Sequence, residues 1–264
     1  MSSATVTDLW TTFSCNAKNN YMKIISDKTP VVVNLTNYLA MNFNANALLA
    51  IGASPIMSFY DREMDDLVGI SDAVVINIGC LDDNEISGMR AAAAAAKRLG
   101  KPWVIDPVGV GASKARTDTA VELITKYHPA IVRCNASEIM VLHGTACKTR
   151  GVDSVEPVEK ARSCAREFAA EHGTVVAVSG AVDYITDGLR EAEIAKGSPL
   201  MAKVTTMGCC ATAICAAFAA VLPPFEAAVQ AMDLMGTAGE AAAARSRGTG
   251  SLAVNFIDEL SLAE

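Results

Sequence analysis

Two almost uninterrupted apolar runs constrain the fold of this chain more than any other feature. Ala73–Gly79 (AVVINIG) and Thr174–Gly180 (TVVAVSG) end in glycine and lack polar alternation, which is typical of parallel strands buried on both faces. Helical segments such as Asn84–Leu99, with its six consecutive alanines, come between such runs. This alternation, without a linker, predicts one α/β domain over residues 1–264, in which a mostly parallel sheet lies between two helical layers and residues 1–29 form a helical approach.

Composition narrows the class of protein. Half of the residues (51%) are hydrophobic and 19% are charged, so the chain can bury a large core. The net charge of −7 and the absence of a basic patch argue against a nucleic-acid partner. The N-terminus shows no secretory pattern, and the eight cysteines show no zinc spacing, so we expect a cytoplasmic protein with reduced, mostly buried thiols.

The stretch Val204–Leu222 (VTTMGCCATAICAAFAAVL) reads as a loop that opens onto a long apolar helix. Its lack of charge suits a membrane span, but its Ala, Thr and Cys content and the following Pro223-Pro224 favour a buried core helix and no membrane partner. The first N–H groups of a helix have no partners inside it and attract anions. We therefore expect Gly208 and Cys209 to hold a phosphoryl group, at a position where a thiol can become more acidic.

Two acidic residues follow predicted strands. Asp106 ends the run Pro102–Asp106 and is followed by GVGA, whose backbone can approach a ligand closely. Glu138 follows Ala130–Cys134, although its spacing from Asn135 also fits a capping box that needs no function. If both carboxylates lie at the same sheet edge, they could organise Mg²⁺ through its retained waters.

An asparagine-rich segment follows the first predicted strand, Val31–Thr36. Five asparagines lie between Asn34 and Asn46, ahead of a helix predicted through Ala47–Ile51. Asn34 and Asn37 either cap a helix or bind a polar ligand, and these two interpretations carry equal weight. Met57, after a turn, suits the core better than a ligand contact on residue type alone.

Three further segments complete the outline. Leu9, Trp10 and Phe13 have helical spacing, and Gly144–Glu156 is polar enough for a surface loop. Ala181–Ile185 and Glu191–Lys196 flank Thr186-Asp187-Gly188, which predicts an edge hairpin. No Walker A sequence occurs, so a kinase of this kind would not cradle phosphate with a P-loop.

Six blocks, in order, resemble the hydroxyethylthiazole kinase family of the ribokinase-like superfamily. They are VNLTNYLAMNFNANALLAIGASPIM, VINIGCL, VIDPVGVGAS, VRCNASEI, VAVSGAVD and VTTMGCCATA. The similarity runs from about Pro30 to Leu260, and the first block is highly specific. It implies a nine-stranded, mostly parallel ribokinase-like sheet, a homotrimer with active sites at subunit interfaces, and phosphorylation of 4-methyl-5-(2-hydroxyethyl)thiazole by ATP and Mg²⁺ in thiamine salvage.

The resemblance also implies roles for the residues that bind substrate and nucleotide. Met57 would contact the thiazole, with Asn37 close by from a neighbouring subunit. Thr206 matches a substrate-contacting position that is usually glycine in the family pattern V-T-G-x-G-C. Arg133 and Ser179 would contact ATP.

The remaining implied roles concern the metal and the transferred group. Asp106 and Glu138 would lie on the Mg²⁺ side. Backbone N–H groups near Gly208 and Cys209 would hold the phosphoryl oxygens, with Cys209 positioning the reactants or acting as a modest base.

Two other functions stay open at this point. One is kinase action on another small alcohol, such as a hydroxymethylpyrimidine, which the first block disfavours. The other is a non-catalytic ligand-binding relative, which only the replacement of the family's Gly-x by Thr206-Met207 favours.

Overall fold

In the computed structural model, which describes residues 18–144 and 158–263, eight strands form one sheet. They are β1 (Val31–Leu35), β2 (Ser54–Met57), β3 (Ala73–Asn77), β4 (Trp103–Asp106), β5 (Ile131–Asn135), β6 (Val175–Ser179), β7 (Asp183–Thr186) and β8 (Glu191–Ile194). Their order is β2-β1-β3-β4-β5-β6-β7-β8. The first six strands are parallel and the last two antiparallel. The described residues thus contain eight strands rather than the nine that the resemblance implies.

Ten α-helices occur in the described residues, together with 3₁₀ turns at Asp61–Glu63 and Met201–Lys203. They are α1 (Lys18–Lys28), α2 (Tyr38–Ala50), α3 (Met64–Ile70), α4 (Asp83–Leu99), α5 (Lys114–Tyr127), α6 (Ala136–Leu142), α7 (Val158–His172), α8 (Met207–Ala219), α9 (Pro224–Arg245) and α10 (Thr249–Ser261).

The helices form a layer on each face of the sheet, because alternate strand residues point to opposite faces. In β3, Val75 packs in a core with α2, α8, α9 and α10, whereas Val74 and Ile76 pack in a second core with α3 to α7. All five residues of β3 are buried, as its apolar run predicts. The three-layer α/β prediction is confirmed.

The central helix α8 is buried along almost its whole length, which confirms the core-helix interpretation of Val204–Leu222. None of the helices within residues 18–144 and 158–263 has the length and apolarity that a membrane span requires. The edge hairpin is also confirmed, since β7 and β8 pair in antiparallel register. The predicted helix around Trp10 and the loop at 145–156 lie outside the described residues.

The start of α2 was predicted wrongly. It begins at Tyr38 instead of near Ala47, because the side-chain oxygen of Asn37 caps it by accepting the Ala40 N–H at 3.1 Å. Asparagines in the segment obscured this start, since their helix propensity is low. Asn44 lies in the middle of the helix and is fully buried.

Candidate active site

The carboxyl ends of the parallel strands bring polar side chains together at one edge of the sheet. Asn77 ends β3 and lies in register with Asp106 at the end of β4. Asn135 ends β5 and lies in register with Ser179 at the end of β6. This is the edge at which open α/β sheets bind ligands.

Asp106 lies at the centre of this group and is only 1% exposed. Its Oδ2 accepts hydrogen bonds from Asn77 Nδ2 at 2.7 Å and from Thr212 Oγ1 at 3.0 Å. Its Oδ1 lies 3.8 Å from Nη1 of Arg133. Burial raises the pKa of the Asp106 carboxyl, and the Arg133 charge with the two hydrogen bonds offsets part of that rise.

Arg133 points from β5 toward the start of α8. Its Nη2 donates to Ser179 Oγ at 2.5 Å, and Ser179 in turn donates to the Cys134 carbonyl at 3.3 Å. The Arg133 Nε is buried and has no hydrogen-bond partner within residues 18–144 and 158–263. Asp106 is the carboxylate within ion-pair distance of Arg133 among the described residues, at 3.8 Å, and the unused Nε donor leaves the guanidinium able to bind a negatively charged ligand.

Glu138 forms the capping box that its spacing from Asn135 allows, and it also binds the loop that follows β4. It forms the predicted capping box with Asn135, whose N–H donates to Glu138 Oε2 at 2.8 Å. Its Oε1 accepts the Gly109 N–H at 2.9 Å, which ties the GVGA loop to α6. Burial, and then the nearby Asp106 charge, raise the pKa of Glu138 to about 7.

The start of α8 lies directly beside this charged group. Thr206 precedes the helix with a φ of 74° and makes no side-chain capping bond. A Cβ added at Gly208 would lie 2.6 Å from Nη1 of Arg133, so the guanidinium lies against the glycine backbone. Only glycine leaves room for this approach.

Asn37, which caps α2, and Asn44, about two turns further along that helix, both bind Cys209. Asn37 Nδ2 donates to the Cys209 sulfur at 3.3 Å, and Asn44 Nδ2 donates to its carbonyl at 3.3 Å. The same Asn37 amide donates to Asn77 Oδ1 at 3.0 Å. Asn37 therefore both caps α2 and reaches Cys209 of its own chain.

The expected acidification of the Cys209 thiol is wrong. Burial and then the adjacent Asp106 charge raise the pKa of Cys209 to about 12, against the hydrogen bonds with Asn37 and Asn77 and the Arg133 charge, which lower it. Cys209 is a neutral thiol at neutral pH.

Met57 is the site residue that the structure does not bring into this cluster. It ends β2 at the sheet edge, half-buried and in register with Asn34 of β1. Strand β1 separates it from β3, which puts it about 10 Å from the cluster across the sheet. If Met57 contacts the thiazole, that contact lies toward β2 at the edge of the sheet, away from Asp106 and Arg133.

Sequence reasoning missed three polar residues of the site, namely Asn77, Thr212 and Asn44. Asn77 carries the same signal as Asp106, a polar residue at the end of an apolar run, and could have been found. Thr212 lies one turn after Gly208, whose carbonyl its hydroxyl also reaches at 3.3 Å. Its link to Asp106 depends on how α8 packs on the sheet.

Comparison with known proteins identifies the family. The sequence model of the Hydroxyethylthiazole kinase family matches residues 22–264. The chain belongs to this family.

Individual relatives agree with the assignment. The chain is 48% identical over 241 residues to hydroxyethylthiazole kinase of Brachyspira hyodysenteriae, with 91% of each chain covered. It is 50% identical over 234 residues to that of Nitratidesulfovibrio vulgaris, with 88% of each covered. The solved hydroxyethylthiazole kinase protein from Pyrococcus horikoshii superposes with a TM-score of 0.87 at 37% identity, covering 94% of both chains.

More distant structures share the fold alone. Bacillus subtilis pyridoxal kinase has a TM-score of 0.59 at 16% identity, covering 78% of this chain and 90% of its own. The ribokinase-like fold implied by the sequence is thereby confirmed.

Thr206, at the position where the resemblance implies glycine, has a φ of 74°, a left-handed conformation that glycine adopts without strain. A left-handed conformation costs a residue with a Cβ about 1–2 kcal/mol, and β-branching makes it more strained. We expect Thr206→Gly to raise the free energy of unfolding by up to about 1 kcal/mol, since the greater freedom of unfolded glycine offsets part of the relief. Chemical denaturation measures it.

The neighbouring Thr205, which does not have a positive φ, supplies the control. Thr205→Gly should lower the free energy of unfolding, because it adds freedom to the unfolded chain without relieving strain. Equal destabilisation by both substitutions would contradict the strain at Thr206.

Proposed function

We propose that this protein transfers the γ-phosphoryl group of ATP to the hydroxyethyl alcohol of 4-methyl-5-(2-hydroxyethyl)thiazole, a step in thiamine salvage. The observation that carries the proposal is the buried Asp106–Arg133 pair against the N-terminus of α8 in a member of this kinase family. A buried positive charge beside the first N–H groups of a helix suits the transfer of a phosphoryl group.

Each part of the site supplies one requirement of the reaction. The N–H groups of Gly208 and Cys209 hold the oxygens of the transferring group, aided by the helix dipole. Arg133, fixed by Ser179, neutralises phosphate charge. Met57, Asn37 and Thr206 are on the thiazole side.

The carboxylates of Asp106 and Glu138 suit Mg²⁺ held partly through water. Mg²⁺ usually takes one or two protein carboxylates and completes its shell with water and substrate phosphates. Within the described residues no group of three or more His, Cys, Asp or Glu side chains could hold a metal ion by itself. When bound, Mg²⁺ supplies charge neutralisation on the ATP phosphates.

Thr206-Met207, the only feature favouring a non-catalytic relative, does not disturb this site. Thr206 adopts a φ of 74°, so the turn before α8 keeps a glycine-like shape. Gly208, which adjoins Arg133, is present. The turn and Gly208 therefore support a catalytic kinase rather than a relative that only binds the ligand.

The decisive assay measures ADP release with ATP, Mg²⁺ and the thiazole alcohol, beside parallel reactions with a hydroxymethylpyrimidine and without any alcohol. We expect release that depends on the thiazole alcohol. Greater turnover of the pyrimidine would favour the alternative kinase function, and no stimulation by either alcohol, despite binding, would favour a ligand-binding relative.

Cys209 should contribute by position rather than as a base. A thiol whose pKa is about 12 is protonated from pH 6 to pH 9, and a loose transition state needs little base assistance. We expect Cys209→Ala to lower kcat by no more than about tenfold, with an unchanged shape of its pH–rate profile in that range. Cys209→Asp introduces a carboxylate that can accept a proton, and it tests whether a base at this position speeds the reaction. A rising limb in the wild-type profile that the Ala variant lacks would refute this role.

The homotrimer with active sites at subunit interfaces and the cytoplasmic location stay predictions. The half-buried edge strand β2, which carries Met57, is consistent with a site completed by a second subunit. Sedimentation velocity of the purified protein tests the trimer directly.

A further inference from the structure

We propose that Arg116 is a positioning residue that fastens together the two loops carrying the acidic side of the site. Its Nη1 donates to the carbonyls of Ile78 at 2.7 Å and Val108 at 2.8 Å. Its Nη2 donates to the carbonyl of Gly79 at 3.0 Å. One half-buried guanidinium thus binds three backbone carbonyls from the loops that follow β3 and β4.

The Arg116 guanidinium bridges the chain segments after β3 and β4, at the point where these two strands stop pairing. The last backbone hydrogen bond between these segments runs from the Ile78 N–H to the Asp106 carbonyl at 3.1 Å. Beyond it the chains turn away, toward α4 on one side and the GVGA loop on the other. Arg116 then supplies donors to carbonyls that the sheet no longer pairs.

The position of Arg116 in the first turn of α5 is unfavourable for a positive charge, and its contacts with the loop carbonyls explain it. It lies in the first turn of the helix, where the dipole favours acidic residues, yet that turn contains none. Among the described residues, no carboxylate lies within ion-pair distance of Arg116, whereas nearby Lys114 pairs with Asp118. The backbone carbonyls are the partners that hold its charge.

The contacts of Arg116 lie one or two residues from the groups that orient both acids. Ile78 and Gly79 directly follow Asn77, which donates to Asp106, and the Gly79 N–H donates to Asn77 Oδ1 at 2.9 Å. Val108 directly precedes Gly109, whose N–H holds Glu138. Arg116 therefore sets the distance between Asp106 and Glu138 while touching neither carboxylate.

This inference rests on the proposed function for its kinetic consequence only. Replacing Arg116 with Met keeps the apolar stem and removes the charge-assisted hydrogen bonds. We expect kcat to fall about ten- to a hundredfold, with a rise of similar size in the Mg²⁺ concentration for half-maximal rate and less than a threefold change in KM for the thiazole alcohol. Arg116→Lys should lie between Met and wild type, and millimolar guanidinium should partly restore Arg116→Ala.

Amide hydrogen exchange of the ligand-free protein supplies the readout that needs no turnover. We expect faster exchange in residues 77–81 and 107–111 of Arg116→Met, with the strand interiors unchanged. Arg90→Met is the matched control, because Arg90 makes a bidentate surface contact from α4 to Glu122 of α5 instead of binding loop carbonyls. It should alter neither exchange at these loops nor the Mg²⁺ requirement.

The outcomes separate this inference from the proposed function. Unchanged exchange in both loops, or faster exchange spread evenly over the whole protein, would overturn the positioning role. A wild-type protein without kinase activity would refute the proposed function and leave the exchange experiment decisive for Arg116. Wild-type kcat and Mg²⁺ dependence in a folded Arg116→Met variant would overturn the inference alone.

Discussion

Replacing Asp106 with Asn is expected to reduce kcat by about a hundred- to a thousandfold, the usual effect of removing a preorganised charge from a site of this kind. The amide oxygen of Asn can still accept from Asn77 and Thr212, so the local hydrogen bonds survive. What disappears is the negative charge opposite Arg133, together with an anionic oxygen for the metal side. Initial rates at saturating ATP and alcohol measure the loss.

The same substitution should also destabilise the fold. Arg133 is only 8% exposed. In the variant, the residue at position 106 is neutral, so the buried positive charge loses its ion-pair partner. Breaking a buried pair costs about 3–5 kcal/mol, and relief of the buried carboxylate reduces this to an expected loss of about 2 kcal/mol. Asp118→Asn, which breaks an exposed pair with Lys114, should change stability and kcat very little.

A double variant separates the two effects. Asp106→Asn with Arg133→Gln removes both charges, so it should recover part of the stability lost by the single variant while remaining inactive. If the double variant is no more stable than Asp106→Asn, the pairing does not stabilise the fold. A single variant with wild-type kcat would remove Asp106 from the reaction.

The strands of this protein were predictable because burial on both faces requires a short, almost entirely apolar run. Ala73–Gly79 and Thr174–Gly180 contain β3 and β6, and the glycines that end the two runs mark their carboxyl ends. The strand order was not available from the same signal, since hydrophobic runs do not say which strands pair. Register within that order is what brings Asn77 to Asp106.

The sequence indicated that Asp106, Glu138 and the start of α8 belong to one group of polar residues. The prediction failed for properties that depend on how the helices pack. Helix-start physics favours an acidic Cys209 thiol, but its burial beside Asp106 reverses the direction of the shift. The asparagines of α2 illustrate the same limit. Asn37 and Asn44 look like cap or turn residues in sequence, and only the packing of α2 against α8 turns both toward Cys209.

Gly208→Ala should inactivate the enzyme by displacing Arg133 while leaving the fold intact. The new Cβ would lie 2.6 Å from Nη1 and 3.2 Å from Cζ and Nη2 of Arg133. The guanidinium cannot retreat freely, because Ser179 and Asp106 hold its far side. We expect kcat to fall about a hundredfold, the scale on which loss of one positioned donor affects catalysis. Stability should fall by about 1–2 kcal/mol, since the strain of the displaced guanidinium exceeds what alanine gains in helix propensity.

The chain offers a matched control at the second residue of another helix. Gly250 occupies in α10 the position that Gly208 occupies in α8, and a Cβ there meets nothing within 4 Å. Gly250→Ala should therefore raise the free energy of unfolding by about 0.5–1 kcal/mol with unchanged kcat. If Gly208→Ala behaves like Gly250→Ala, then Arg133 does not need its place against the α8 backbone. Loss of kcat in Gly208→Ala alone, in a variant that is still folded at the assay temperature, would show that the reaction depends on that contact.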